Sequence, residues 1–428
     1  MAMLIDRAFH RRRALWGAGV CLSCVAAGAS AQDFDPRTRI EDRARPEFAS
    51  PPITIGAFEL VPQVEAGVEY VDNLFASDLL DVDDVIISVK PSVSVTDRRP
   101  DREIRLNLAT GYQTFLDGNA DDRFQLLAST RLRFGLGTST RPFAGAEVRL
   151  NDSSQSQVTV GGNINQPLRA FTYGANAGVA QDIGSFTLEG EGRIARNQYD
   201  GEYIFRDQVF DVGFRDNMLY QGRGRVSYST RPDQRLYVEG RYGRFEYDGT
   251  LPAAALTLPE VFAADRSGDN LAVVGGIQFQ ATELLSFDGN VGFSRLTYDD
   301  PSQPAIEAVS FEANAYYSPT RLTRFQLQAR RSVDETINPL FSNLLSTGVA
   351  LRGEHELRRN LILRSDLEYV EFSAGDLGNI GDEFRAVIGA IYYVSPRVSL
   401  NFRGETFRRQ GLSEGNQKRA MVSAAYTF

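Results

Sequence analysis

The sequence predicts an all-β fold: a transmembrane antiparallel up-and-down β-barrel of about 18 strands (16 to 20), with short periplasmic turns and longer extracellular loops. Three observations carry this. From about residue 58 to Phe428 the chain repeats long stretches that alternate apolar and polar side chains, the two-residue period of a strand with one greasy face. The connections alternate between tight turns and longer polar loops, the signature of bacterial barrels. And the N-terminus reads as an export signal.

That signal occupies residues 1–31. Arg7, Arg11, Arg12 and Arg13 form a positive stretch, Ala14 to Ala27 an apolar one, and Ala29-Ser30-Ala31 a small-residue cleavage site, which places cleavage near Ala31. Its apolar run is the longest in the chain, and charge interrupts everything after it, so no spanning helix of about 20 apolar residues is available. Both cysteines, Cys21 and Cys24, fall within it, as do Trp16 and His10. The exported chain then has no thiol and no Cys/His metal site. Removing residues 1–31 leaves 54 acids against 42 bases, a net charge of −12, which argues against nucleic acid as a partner.

Residues 32–57 carry acids, arginines and the Pro51-Pro52 pair with little apolar surface, and read as a periplasmic N-terminal tail. The outer-membrane barrel follows at 58–428. Ile104, Leu106, Leu108 and Tyr112 oppose Arg105, Asn107 and Gln113; Leu361, Leu363, Leu367 and Tyr369 oppose Arg364, Asp366 and Glu368. Strands of a soluble sandwich average about 5 to 6 residues; these are longer and carry charge inside the run. The tight connections are Thr96–Asp101, Gly137–Pro142, Asp182–Ser185, Ser229–Asp233, Ala281–Glu283, Ser318–Thr320, Leu357–Arg359 and Ser395–Arg397. Nine longer loops alternate with them, among them Asn73–Asp84, Asn151–Gln166, Asp248–Asn270 and Asp334–Ser342.

Tyrosines before the turns (Tyr228, Tyr316-Tyr317, Tyr392-Tyr393) and at the opposite strand ends (Tyr70, Tyr199, Tyr247, Tyr298) suggest two interfacial girdles. The last strand ends in Tyr426-Thr427-Phe428, which resembles the C-terminal assembly signal of outer-membrane barrels; the implied partner is the barrel assembly machinery.

Charged residues on the polar faces must avoid lipid, where an arginine at the midplane costs about 2 to 4 kcal/mol. The candidate pore lining is Arg105, Arg131, Arg133, Arg149, Arg193, Arg223, Arg225, Arg241, Arg364 and Arg403, with Glu147, Glu189, Glu239, Glu368 and Glu405. These side chains have two readings: cross-strand ion pairs that hold the wall, or a charged lining that selects permeants. Aromatics on the same faces, Phe115, Tyr199, Tyr237, Phe245, Phe407 and Tyr393, suit either sugar stacking or a girdle displaced by one residue. Asp72, Asp78, Asp81, Asp83 and Asp84 in the first loop are either a Ca²⁺ or lipopolysaccharide contact or a solvated loop, without EF-hand spacing. The lone mature histidine, His355, sits between Glu354 and Glu356 beside a periplasmic turn, so the chain is expected not to be an enzyme and calls for no cofactor.

The opening strand Val61 to Phe75, with its Tyr70-Val71-Asp72-Asn73-Leu74-Phe75 end, and the barrel pattern to Phe428 resemble an outer-membrane β-barrel porin family associated with exopolysaccharide export in proteobacteria. The resemblance implies a barrel in the outer membrane of a Gram-negative bacterium, in contact with lipid and lipopolysaccharide and working with a periplasmic polysaccharide export protein. The expected function is a passive outer-membrane channel for polysaccharide export or other polar solutes. A general diffusion porin and a structural or adhesive barrel with a filled lumen are the alternatives.

Overall fold

The computed structural model describes residues 35–76, 78, 81–153, 168–205, 208–249, 265–301, 305–335, 343–373, 378–411 and 414–428. Residues 1–31, read above as an export signal with cleavage near Ala31, and parts of the longer loops lie outside these residues.

After a short strand β1 (Ile53–Ile55) come β2 (Phe58–Asp72), β3 (Asp84–Arg99), β4 (Arg102–Phe115), β5 (Arg123–Phe134), β6 (Thr140–Ser153), β7 (Leu168–Ile183) and β8 (Phe186–Asp200). A small loop hairpin, β9 (Glu202–Phe205) with β10 (Gln208–Asp211), precedes β11 (Asn217–Arg231), β12 (Gln234–Tyr247), β13 (Gly268–Thr282) and β14 (Leu285–Tyr298). The remainder are β15 (Ile306–Thr320), β16 (Thr323–Glu335), β17 (Asn343–Arg358), β18 (Leu361–Ser373), β19 (Asn379–Ser395), β20 (Val398–Gly411) and β21 (Gly415–Thr427). Each long strand pairs antiparallel with the next, and β21 closes on β2 with Gln63 opposite Thr427. Eighteen strands form the wall, and β1 adds a short hairpin to β2 with Ile53 opposite Leu60.

Closure leaves no strand edge, which backbone groups in hydrocarbon require. The outward face is apolar: Val238, Leu271, Val291, Val309 and Ile388 are all more than half exposed, a surface that only lipid satisfies. Two-residue turns such as Pro100-Asp101, Gly184-Ser185, Pro232-Asp233 and Arg359-Asn360 join the strands at one end, and longer connections join them at the other. Gly135 opens the longest of the short connections at φ +66°, where an added Cβ would lie 2.3 Å from the Thr140 carbonyl. By the length rule the turn end is periplasmic, and both chain ends of the barrel lie there.

Candidate functional site

The inward faces enclose a cavity of about 2310 Å³. Arg105, Arg131, Arg133, Arg149, Arg193, Arg223, Arg364 and Arg403 line it, with Glu147, Glu189, Glu368 and Glu405. Arg225, Arg241 and Glu239 sit on the same inward face of β11 and β12 but form a cluster packed against the wall. Glu239 is fully buried and accepts from Arg225 and Arg241, with Arg223 Nη1 at 3.3 Å. Arg223 also binds Glu191 through Nε at 3.0 Å, and pairs with Glu189. This network ties β8, β11 and β12 together.

Further ion pairs continue around the wall. Arg385 donates to Glu405 at 2.7 Å and Arg403 to the same carboxylate at 2.6 Å, joining β19 and β20. Arg330 binds Glu368 at 2.8 Å and Arg352 binds Asp366 at 3.2 Å across β16, β17 and β18. The two readings of the inward charges therefore apply to the same residues, because each acid is engaged by an arginine that also borders the cavity. The balance is unequal: the lining holds 21 cationic side chains against 14 acidic ones. Arg385, Arg352 and Arg419 were missed by the sequence reading although they stand at inward positions, and strict two-residue counting along β17, β19 and β21 identifies them.

The polar-face aromatics also point inward, so the displaced-girdle alternative fails for them. Five are covered by arginine: Arg123 lies 4.6 Å from the Phe115 ring centroid, Arg215 4.2 Å from Tyr199, Arg225 4.4 Å from Tyr237, Arg409 5.3 Å from Phe407 and Arg45 5.9 Å from Tyr393, the geometry of cation–π attraction. Tyr237 also fills the space over Gly276 on the neighbouring strand, where a Cβ would meet its ring at 2.3 Å. Phe245 packs with Ala195, Leu219 and Leu296.

The girdle assignment needs correction in part. Tyr70, Tyr228, Tyr317 and Tyr392 are exposed on the outer face, but Tyr199 and Tyr247 border the cavity and Tyr298 packs against the Phe245 cluster. The outer tyrosines toward the loop end include Tyr112, Tyr173, Tyr220 and Tyr242 instead. The "Tyr-Asp" strand ends mislead because the tyrosine there has inward parity on β8, β12 and β14.

A second departure concerns the segment 32–57. Its described residues from Asp35 to Phe48 lie inside the barrel, against the wall near the turn end. Arg37 binds Asp288 on β14 at 3.0 Å, Ile40 N–H donates to Glu354 on β17 at 2.6 Å, and Arg324 on β16 donates to the Pro36 carbonyl at 2.9 Å. Arg45 and Glu356 pair at 2.8 Å, both nearly inaccessible, and Arg364 on β18 holds Glu41 at 3.0 Å. Ile40 is buried against Ile362 and Ile391, and Phe48 stacks on Tyr393 at 5.7 Å. The signal for this docking lies in Ile362 and Ile391, apolar residues at inward positions near the turn end.

Other candidates lie elsewhere. His355 is on the outer face, its Nδ1 2.9 Å from Thr323 Oγ1, away from the lumen. In the first loop, Asp72, Asp81 and Asp83 bring carboxylate oxygens within 4.8 Å of one another. Asp83 accepts from the Tyr70 hydroxyl at 2.7 Å, and buried Asp84 accepts from the Asp117 and Asn119 amides, so these acids organise the loop. At the loop rim, hydrogen bonds from Arg196 and Arg244 hold Asp248 and Asp299 below the usual carboxylate range. Tyr426 and Phe428 face outward with rings 5.0 Å apart, and the Phe428 amide donates to the Pro62 carbonyl at 3.0 Å across the closing seam.

None of the curated proteins matches the chain. Among solved structures, the outer membrane protein OpdK of Pseudomonas aeruginosa is similar over 86% of this chain and 99% of its own, at 11% identity and a TM-score of 0.47. OccK2 (OpdF) of the same organism covers 86% and 98% at 13% identity and 0.47, and a BenF-like porin from Pseudomonas fluorescens Pf-5 covers 86% and 99% at 11% and 0.48. One family profile, that of "Putative beta-barrel porin 2", matches residues 45–426, nearly the whole described barrel, and the chain belongs to that family of outer-membrane β-barrel porins.

Proposed function

We propose that the protein is an outer-membrane channel that passes small polar solutes and favours anions. The observation that carries this reading is the cationic surplus of the lumen, 21 against 14, in a chain whose formal charge is −9. Arginine rings favour anions in pores, and a cleft lined by one sign of charge concentrates counter-ions. The test is the zero-current potential of the purified protein in a planar bilayer under a KCl gradient. A potential of the sign set by chloride is expected; a cation-selective pore would refute the anion preference, and silence would favour the structural barrel.

Passage of an exported polysaccharide, with a periplasmic export partner, rests on the family resemblance alone. The lumen aromatics that would stack on sugar rings carry guanidinium groups instead, which favours the small-solute reading. Oligosaccharide added from either side is therefore expected to leave the chloride current unblocked.

For assembly, we take Tyr426 and Phe428 as the segment read by the barrel assembly machinery. Replacing Phe428 with Ala is expected to cut the folded barrel in the outer-membrane fraction severalfold. Molecules of the same variant refolded in detergent should keep the parental conductance, which separates a recognition role from a defect in the pore.

A further inference from the structure

The docked N-terminal segment is built into the wall. Its contacts span an arc of seven neighbouring strands out of eighteen, from the Phe279 carbonyl on β13, which accepts from Arg37 at 3.3 Å, to Tyr393 on β19. They lie within a few residues of the short turns, two of whose residues, Arg321 and Arg359, also take part: the Arg321 carbonyl accepts from Arg43, and Arg359 donates to Glu47 at 2.7 Å. Two kinds of matching fix the register. Charge matches charge at Glu354 and Glu356, buried carboxylates that receive Arg39, the Ile40 amide and Arg45 from the segment. Apolar surface matches apolar surface where Ile40 covers Ile362, and both are fully buried. An isoleucine pair facing a water-filled lumen would be unfavourable, so the wall carries these residues for a cover that is present in the folded state.

The segment does not cross the lumen. Its contacts keep to one side of the barrel, and Arg37, Thr38, Arg39, Glu41 and Asp42 border the same cavity as Arg105 and Arg131 of the facing wall. A strap along this arc near the periplasmic rim removes cross-section without closing the bore. Buried ion pairs and an apolar anchor distributed over separate strands are the features of a fixed element, since all must break together for it to leave.

We propose that Asp35 to Phe48 is the resident constriction of the channel, so that the N-terminal segment sets the size cutoff for solutes at the periplasmic end. This rests on the channel reading above, and the test keeps the two separable. Single-channel conductance and liposome-swelling rates for sugars of increasing size are compared between the full mature chain and a variant lacking residues 35–48. The expected result is a conductance at least about twofold higher and entry of larger sugars in the deletion. Equal conductance and equal cutoff would overturn the constriction, whereas absence of current in both proteins would overturn the channel reading itself.

Because the deletion uncovers Ile362 and removes partners of Glu354, a second variant keeps the segment and its ion pairs and changes only the Ile40–Ile362 contact. Ile40→Cys with Ile362→Cys, in a chain starting at Gln32 and so otherwise free of cysteine, is joined by a short bismaleimide. A resident strap predicts the parental conductance and cutoff after cross-linking. Loss of current on cross-linking would show that the segment must leave for conduction, and would replace the fixed constriction with a moving gate.

Discussion

Replacing Glu239 with Gln is expected to produce the largest loss of stability of any single substitution in the wall, about 3 kcal/mol or more, the scale for breaking a buried ion pair from one side. Glu239 has no accessible surface, and three guanidinium groups, those of Arg223, Arg225 and Arg241, converge on its carboxylate. Gln keeps the shape and one acceptor oxygen but removes the charge, leaving three cations at close range. Arg223 retains Glu189 and Glu191, whereas Arg225 and Arg241 lose the carboxylate on which both converge. The measurement is the urea midpoint of unfolding from lipid vesicles, followed by the tyrosine signal. A double variant with Arg225→Gln should recover part of the loss, because one of the stranded cations goes with it; additive losses would mean that the pair is not coupled. Glu405→Gln, where the carboxylate serves two arginines and is 10% exposed, should cost less.

The parts of this fold that were legible in the sequence are those that lipid enforces. Hydrocarbon on one side of every strand admits no slip in the two-residue period, so Leu106, Leu108 and Tyr112 stand on the outer face and Arg105 and Gln113 on the inner one. The tight connections were placed with errors of a few residues, and the errors have causes. Pro319 marks a turn by its chemistry, yet β15 runs to Thr320 through a register shift between Tyr317 and Thr320, and the turn is Arg321-Leu322. Likewise Asp97 and Arg98 pair with Ile104 and Glu103, extending β3 past the expected bend. Inside the barrel no such constraint exists. Polar parity names Glu239 as inward but cannot distinguish it from Glu189, although one is enclosed by three arginines and the other borders water. Nor can the composition of residues 32–57 reveal a docked strap, since its few apolar residues act only against Ile362, Ile391 and Tyr393, more than 300 positions away.

Reversing three lumen charges, Arg131→Glu, Arg133→Glu and Arg193→Glu, is expected to abolish most of the anion preference while leaving the barrel folded. Arg131 and Arg133 are exposed to the cavity, and the closest acid to Arg133 is Glu103 at 3.7 Å, so little packing is lost at these two positions, while Arg193 is half-buried on β8. The substitutions lower the lining surplus from seven positive charges to one. A unit charge about 10 Å from a monovalent ion in water contributes roughly 0.4 kcal/mol, so six units amount to about 2.5 kcal/mol before screening. At 0.1 M salt the Debye length is about 10 Å and retains roughly a third of that, about a fivefold loss for chloride and an equal gain for potassium, which predicts about a twentyfold fall in the chloride-to-potassium permeability ratio, read from the zero-current potential. The corresponding Gln triple removes three units and should give about a fivefold fall in the ratio, and both effects should grow at 0.01 M. A salt-independent change, or equal changes in the two triples, would mean that selectivity is set by pore geometry and not by the field of the lining arginines.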